Sequence, residues 1–237
     1  MIAVLVNTAT VLVGSLLGIL LRRRLKAALQ EALMKALALC TAVIGISSAI
    51  ATQDLLCVII CMVIGTAVGE LIRIDDGIEH AGDAIKAKLF HGKSADNRFT
   101  EGFVSACILF CIGSMTVVGS LEAGINHNYS IIYAKSTMDF VSSMAFGAAM
   151  GLGVTCSAAF VLVFQGALTL LASLVGPALS TAVVTEMSAV GGVILIGMAV
   201  NMLGLGKERI KVANMLPAIF LPIAWFPLVS WLQSLIS

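Results

Sequence analysis

The sequence predicts an all-α fold, a polytopic helical membrane protein with about eight transmembrane helices in one domain, 1–237. Three observations carry this. Apolar residues make up 59% of the chain and charged residues 11%, against about 45–50% and about 25% in a soluble globular domain. The apolar character runs the whole length, in blocks near the ~20 residues that a helix needs to cross the hydrocarbon core. Lysine and arginine gather in a few segments between those blocks. A formal net charge of +1 says nothing about partners, but the placement of the charges does. The expected partners are the lipid bilayer and an ion or small solute. No nucleic acid, cofactor or metal is expected.

The elements follow in order. The first helix, 2–21, is retained: a signal peptide carries its positive charges before the apolar run, whereas Arg22, Arg23, Arg24 and Lys26 come after it. Spans 33–51 and 54–73 come next. The polar loop 72–99 then places Ile74, Ile78, Ala81, Ile85 and Leu89 on one stripe, with Asp75, Asp76, Glu79, Lys86 and Lys88 largely off it. That period predicts an amphipathic connector, 74–99, resting on the cytoplasmic interface. Spans 102–121 and 132–154 form a central hairpin, followed by 156–176, 184–204 and 211–234. The boundary at Gly153–Ala158 has no charge and no proline, so a fused helix and seven spans are the alternative. The charges favour eight. Segments 22–35, 73–98 and 207–211 hold every Lys and Arg except Lys135, and only an even count puts all three on the cytoplasmic side. Both termini are then expected on the extracytoplasmic side of the membrane. Trp225 and Trp231 fall toward the outer end of the last helix, as an interfacial belt would.

Three short patterns hint at an inverted three-plus-three repeat around the hairpin. "ATVLVGSLLGILL" (9–21) faces "AFVLVFQGALTLL" (159–171), "AVIGISSAI" (42–50) faces "ILIGMAVNM" (194–202), and "ICMVIG" (60–65) faces "ANMLPA" (213–218). Inverted repeats are typical of transporters, which bind near the midplane on broken helices. Gly14–Gly18, Gly65–Gly69 and Gly147–Gly151 are GxxxG spacings that let helices approach closely. They serve packing inside the protomer or a homodimer, and the residues alone leave both open. The six cysteines (Cys40, Cys57, Cys61, Cys107, Cys111 and Cys156) lie in apolar segments and read as packing residues, although Cys57/Cys61 and Cys107/Cys111 share helix faces at i, i+4. His80, His91 and His127 lie in loops and form no cluster.

Ionisable residues inside spans are functional-site candidates by default. Asp139 sits about mid-depth in the fifth predicted helix, counting about 1.5 Å per residue. Lys135 is one turn away on the same face, with Ser136 and Ser142 near. The pair reads either as a self-neutralising structural pair or as a titratable carboxylate that takes up and releases a proton or cation. Gln165, Asn201 and Asn214 add mid-span or helix-opening amides. In helix four, "FCIGSMTVVGSLEAG" concentrates Gly113, Ser114, Thr116, Gly119 and Ser120, a segment that can unwind and offer hydroxyls and carbonyls. Glu186 opens the seventh helix as a first-turn acid or lines an outer vestibule. Pro217, with Pro222 and Pro227, breaks helix eight and frees carbonyls, a gating element. Glu70 and Glu101, near cytoplasmic helix ends, read as solvated flanks.

"FCIGSMTVVGSLEAG", "AKSTMDFVSS", "VFQGALTLLAS" and "KVANMLPAI" together resemble the YdfK/YqgA-like family of bacterial inner-membrane proteins, a domain-of-unknown-function family. The resemblance covers nearly the whole chain. It implies a multi-span cytoplasmic-membrane protein and carries over no activity. The residues themselves favour a secondary transporter for an ion or small solute. An ion channel, with "GSMTVVGS" supplying carbonyls, is one alternative. A non-transporting scaffold or sensor that uses the GxxxG faces and the 72–99 helix is another. An enzyme is not expected, because there is no HExxH motif and no nucleophile–base pair.

Overall fold

In lipid, backbone N–H and C=O groups must bond within the chain, so apolar blocks of this length become helices. The computed structural model describes residues 1–22, 27–77, 80, 99–111, 114–176 and 179–236, and no strand occurs among them. The helices are α1 (Ile2–Arg22), α2 (Ala27–Ala49), α3 (Leu55–Ile72), α4 (Phe99–Cys111), α5 (Ser114–Ile125), α6 (Ser130–Met150), α7 (Leu152–Leu170), α8 (Ala172–Val175), α9 (Thr181–Leu203) and α10 (Pro222–Ile236). A 3-10 segment, Val212–Phe220, precedes α10. Most of the amphipathic connector expected over 74–99 lies outside the described residues.

Five helices, α1, α2, α3, α7 and α9, are long and apolar enough to cross a membrane. The number becomes seven if α4–α5 and the 3-10 segment with α10 each count as one bent span. The sequence expectation was eight, and the difference lies in α6. That helix has 21 residues, but Lys135, Asp139 and its serines make it too polar to qualify by composition. It buries those groups against protein instead: Lys135, Ser136, Asp139 and Ser143 are all buried.

The breaks differ from expectation in two places. The helix expected over 102–121 is two helices whose axes bend by 56°, and the Thr116 hydroxyl donates to the Phe110 carbonyl across the gap at 3.0 Å. The boundary expected at Gly153–Ala158 falls at Gly151, with φ 79° and ψ −147°. Side chains essentially exclude that region, so only glycine turns the chain there without strain. Two of the three prolines stand at the break: Pro217 lies in the 3-10 segment, which bends by 44° into α10 at Pro222, whereas Pro227 lies inside α10.

Glycine decides the packing. Gly14 and Gly18 of α1 press on the α6 backbone at Phe140 and Met144, and Gly147 of α6 presses back on Ser15, so the two helices run parallel. This is the most extensive helix pairing among the described residues. Gly45 of α2 and Gly192 of α9 each face the other's carbonyl, and Thr52 beyond α2 reaches Glu186, so α2 and α9 are antiparallel. Gly65 meets Ala218 and Gly69 meets Asn214, so α3 and the 3-10 segment are antiparallel too. A Cβ at any of these glycines would strike backbone. The GxxxG helix faces are therefore filled inside the protomer, and Gly151 forms the turn instead of a helix face. α7 packs on α1 and α4, with Gly153 seated on the Phe99 carbonyl. The largest core surrounds α9, where Ala189, Val190 and Ile194 are fully buried.

Candidate functional site

α6 turns one face to α1, and on that face Lys135 and Asp139 form an ion pair between Nζ and Oδ2. Both are buried, at 6% and 7% exposure. Asp139 lies near the middle of the helix. From α1, Asn7 donates its Nδ2 to Asp139 Oδ2 at 3.1 Å and to Gln165 Oε1 of α7 at 3.0 Å. Asn7 and Gln165 have no exposed surface. The ammonium of Lys135 stands 5.9 Å from the centre of the Phe110 ring of α4, within cation–π range. Four helices thus meet at one ion pair.

The cluster is incompletely bonded. Asn7 Oδ1 and Gln165 Nε2 are buried and have no hydrogen-bond partner among the described residues. A buried polar atom left without a partner costs about 1–3 kcal/mol, so the arrangement is one acceptor and one donor short of closure. Removing either charge of the ion pair would leave the other uncompensated, at a cost of about 3–5 kcal/mol.

The remaining candidates do not converge on Asp139. The Ser136 hydroxyl donates to the Ile132 carbonyl at 2.8 Å, so it does not hold the pair. Thr116 bridges the α4–α5 break behind Phe110, and Ser114 opens α5 with its side chain outside the described residues. Asn201 staples the loop after α9, donating to the Ile210 carbonyl at 2.8 Å and accepting from the Ile210 amide at 2.9 Å. Asn214 accepts from the Asp75 amide at 2.7 Å and donates to Glu70 at 2.5 Å. Beside it, Lys211 pairs with Asp76 at 3.2 Å. That hydrogen bond, with the nearby Glu70 carboxylate, holds the Lys211 ammonium above its ordinary pKa. Both asparagines therefore tie helix ends together.

Glu186 is the clearest reassignment. It lies in the second turn of α9, which begins at Thr181, not in a first turn. It is 1% exposed and lines no vestibule. One carboxylate oxygen accepts from the Thr52 hydroxyl at 2.5 Å. The other accepts from the amides of Gln53 at 2.8 Å and Asp54 at 3.2 Å. Its role is to hold the α2–α3 turn. Asp54 in turn caps α3 through the Cys57 amide at 3.0 Å and accepts from the Trp225 indole at 2.9 Å. These two donors, Cys57 first, hold the Asp54 carboxyl below the usual carboxylate range. The Cys57 and Cys61 sulfurs lie 3.8 Å apart, and all six cysteines are free thiols. Among the described residues, no group of three or more His, Cys, Asp or Glu is placed to hold a metal ion.

Residues 2–227 match the family described as "Protein of unknown function (DUF554)". The chain belongs to the DUF554 family. It is 28% identical over 230 residues to "Uncharacterized protein YqgA" of Escherichia coli (strain K12), a match covering 93% of this chain and 97% of that one. It is 25% identical over 228 residues to "Uncharacterized membrane protein YdfK" of Bacillus subtilis (strain 168), covering 94% of each. No solved structure matches it. This DUF554 chain is a membrane protein, as its apolar helices indicate. Its sequence marks Lys135, Asp139 and Gln165, which the fold does bring together, but not Asn7. The signal available for Asn7 was a lone amide in an otherwise apolar first helix, directly after "IAVLV".

Proposed function

We propose that this protein is a secondary transporter for an ion or small solute, with its site at the Asn7–Lys135–Asp139–Gln165 cluster. The observation that carries the reading is a buried, mid-helix ion pair whose surroundings leave one donor and one acceptor open. A purely structural pair in lipid is expected to be closed on all sides, because ionisable groups there are costly and tend to mark ion or proton pathways. Support comes from the architecture: α2 with α9, and α3 with the 3-10 segment, pair antiparallel, as two inverted triplets meeting face to face would. The turn at Gly151, the bend between α4 and α5 and the break at Pro217 supply joints. The lysine and arginine distribution supports both termini outside, and the family resemblance supports placement in a bacterial inner membrane.

The test is flux in proteoliposomes under an imposed proton or sodium gradient, with labelled cations, amino acids and organic anions. Gradient-dependent uptake by the wild-type protein, abolished in Asp139→Asn, is the expected result. A folded wild-type protein that moves none of these solutes under either gradient sinks the reading.

A further inference from the structure

A buried hydroxyl in an apolar helix commonly closes on its own backbone. Ser136, Ser157 and Thr169 each donate to a carbonyl three or four residues back, at 2.8, 2.7 and 2.8 Å. Ser120 of α5 does not. It has no exposed surface, and its Oγ has no hydrogen-bond partner among the described residues.

The packing register fixes what Ser120 faces. One turn further along α5, Gly124 presses on the Thr169 carbonyl of α7, where a Cβ would come within 2.3 Å. Earlier on α5, Val117 lines one apolar cavity with Phe160 and Phe164 of α7, so the two helices advance in the same direction. Ser120 therefore stands level with Gln165, which is one turn before Thr169. On its other side, Ala123 packs in one cluster with Ala3 and Val4 of α1 and Ile132 of α6, and Gly119 is seated on Ile132 as well. α5 turns back into α6 through the short loop 126–129, so it runs against α6 and against α1. One turn on from Val4, Asn7 comes level with Ser120. Asn7 Oδ1, Ser120 Oγ and Gln165 Nε2 are three of the five buried side-chain atoms without a partner among the described residues, and they lie at one level on three neighbouring helices.

Their polarity is set by the ion pair. Asp139 is the anionic partner of Lys135, so Asn7 turns its N–H to that carboxylate and keeps Oδ1 as an open acceptor. Gln165 accepts from Asn7 through Oε1, which leaves Nε2 as an open donor. The Ser120 hydroxyl serves as either.

We propose that Asn7, Ser120 and Gln165 form a binding site for a small uncharged molecule that both gives and takes hydrogen bonds, with a primary carboxamide as the solute it matches best and water as the smallest occupant. The proposal deepens the transporter reading and rests on it for turnover: it narrows the solute to an uncharged one. Lys135 and Asp139 compensate each other, so nothing offsets an incoming charge, and burying an uncompensated charge costs far more than burying a hydrogen-bonded neutral group. A metal cation would meet Asn7 Oδ1 and Ser120 Oγ but also the Gln165 N–H. A halide would meet Gln165 and Ser120 but also Asn7 Oδ1. A carboxamide satisfies all three. Its carbonyl accepts from Gln165 Nε2, and its two N–H groups donate to Asn7 Oδ1 and Ser120 Oγ. Asn7 and Gln165 make only one of the two bonds of a closed amide pair, and a third amide completes the ring.

Two measurements test the site and its occupant. The first is thermal unfolding, in detergent, of the full chain, Ser120→Ala, Gln165→Leu and the double variant, with and without acetamide. A hydroxyl that bonds nothing can be removed with no loss or with a gain of stability, whereas one that holds a bound molecule stabilises the fold. Ser120→Ala should lower the melting temperature by about 2–4 °C, and by much less in the Gln165→Leu background, as two groups sharing one partner do. Acetamide should raise the wild-type value saturably and leave Ser120→Ala unmoved. N,N-dimethylacetamide, which has no N–H, should have no such effect. The second is uptake into proteoliposomes under a proton or sodium gradient. Labelled acetamide should enter faster than in protein-free liposomes and lose that excess in Ser120→Ala, while labelled rubidium and chloride do not move. An unchanged or raised melting temperature in Ser120→Ala, or losses that simply add in the double variant, overturns the proposal. Flux of ions alone, abolished in Asp139→Asn, overturns it too and leaves the transporter reading intact. Coupled melting shifts with no response to acetamide assign the site to water. Coupled shifts and saturable acetamide stabilisation without flux of any solute keep the site and remove the transporter reading.

Discussion

Replacing Glu186 by alanine would strand three donors in one turn: the Thr52 hydroxyl and the Gln53 and Asp54 amides. These donors are only part-buried, so each costs less than the about 1–3 kcal/mol of a fully buried unpaired group; Glu186→Ala should still lower the melting temperature in detergent more than Glu186→Gln, which keeps an acceptor. Intrinsic fluorescence follows the same region, because the Trp225 indole bonds Asp54. Asp54 also gives a pH prediction. Its folded-state pKa is depressed, so the cap stabilises the fold above the ordinary carboxylate range near 4 and is lost as pH falls through the lower folded value. Acid titration followed by Trp225 emission should show that loss in the wild-type protein and not in Asp54→Asn. At this scale the ion pair was legible, since a charge in an apolar run stands out in any reading. Asn7 was not, because depth is counted from helix ends and a residue so near the first helix's start reads as interfacial. Asn201 and Asn214 were over-read. A mid-span amide has the same letter whether it meets a ligand or staples the loop beside it, and only the fold separates the two.

Among the elements, the turn at Gly151 should be the least tolerant of change. Gly151→Ala forces a side chain into a backbone region reserved for glycine, at about 1–3 kcal/mol. Gly77→Ala meets nothing within 4 Å and should be neutral in the same thermal-unfolding assay. Enlarging Gly192 should separate α2 from α9, since a Cβ there runs into the Gly45 carbonyl and the Ala49 amide. The sequence placed α1, α3, α6 and α9 to within about four residues at each end, because apolar block length is a direct signal in a membrane protein. It marked the segment around Gly113 and Ser114 as one that can unwind but drew 102–121 as a single span, because no proline announces the α4–α5 bend. It shifted the Gly151 turn because Gly147, Gly151 and Gly153 crowd together, and composition alone does not say which of them takes a positive φ. Prolines remove a hydrogen-bond donor wherever they stand, so the break before α10 was legible.

For the whole molecule, the span count turns on α6. An aspartate and a lysine at a helix centre each oppose insertion by about 2.5–3.5 kcal/mol, and α6 carries both. Presented alone to the insertion machinery in a glycosylation-mapping host, α6 should fail to span. Lys135→Leu with Asp139→Leu should restore spanning, and insertion of unaltered α6 as an isolated segment would show that it needs no partner. Within the chain that partner is α1, whose glycines bring its backbone against α6 and whose Asn7 bonds Asp139. The separation along the chain then acquires a meaning in time. Asn7 and Gln165 are 158 residues apart, so at about 5–20 residues per second the ribosome needs roughly 8–30 s to supply the last member of the cluster after the first. For that interval the nascent chain holds an amide, and then an ion pair, in a membrane that offers no other partner. Its early helices must wait, and a chain stalled in that window exposes its polar face to whatever quality-control protease patrols the bilayer.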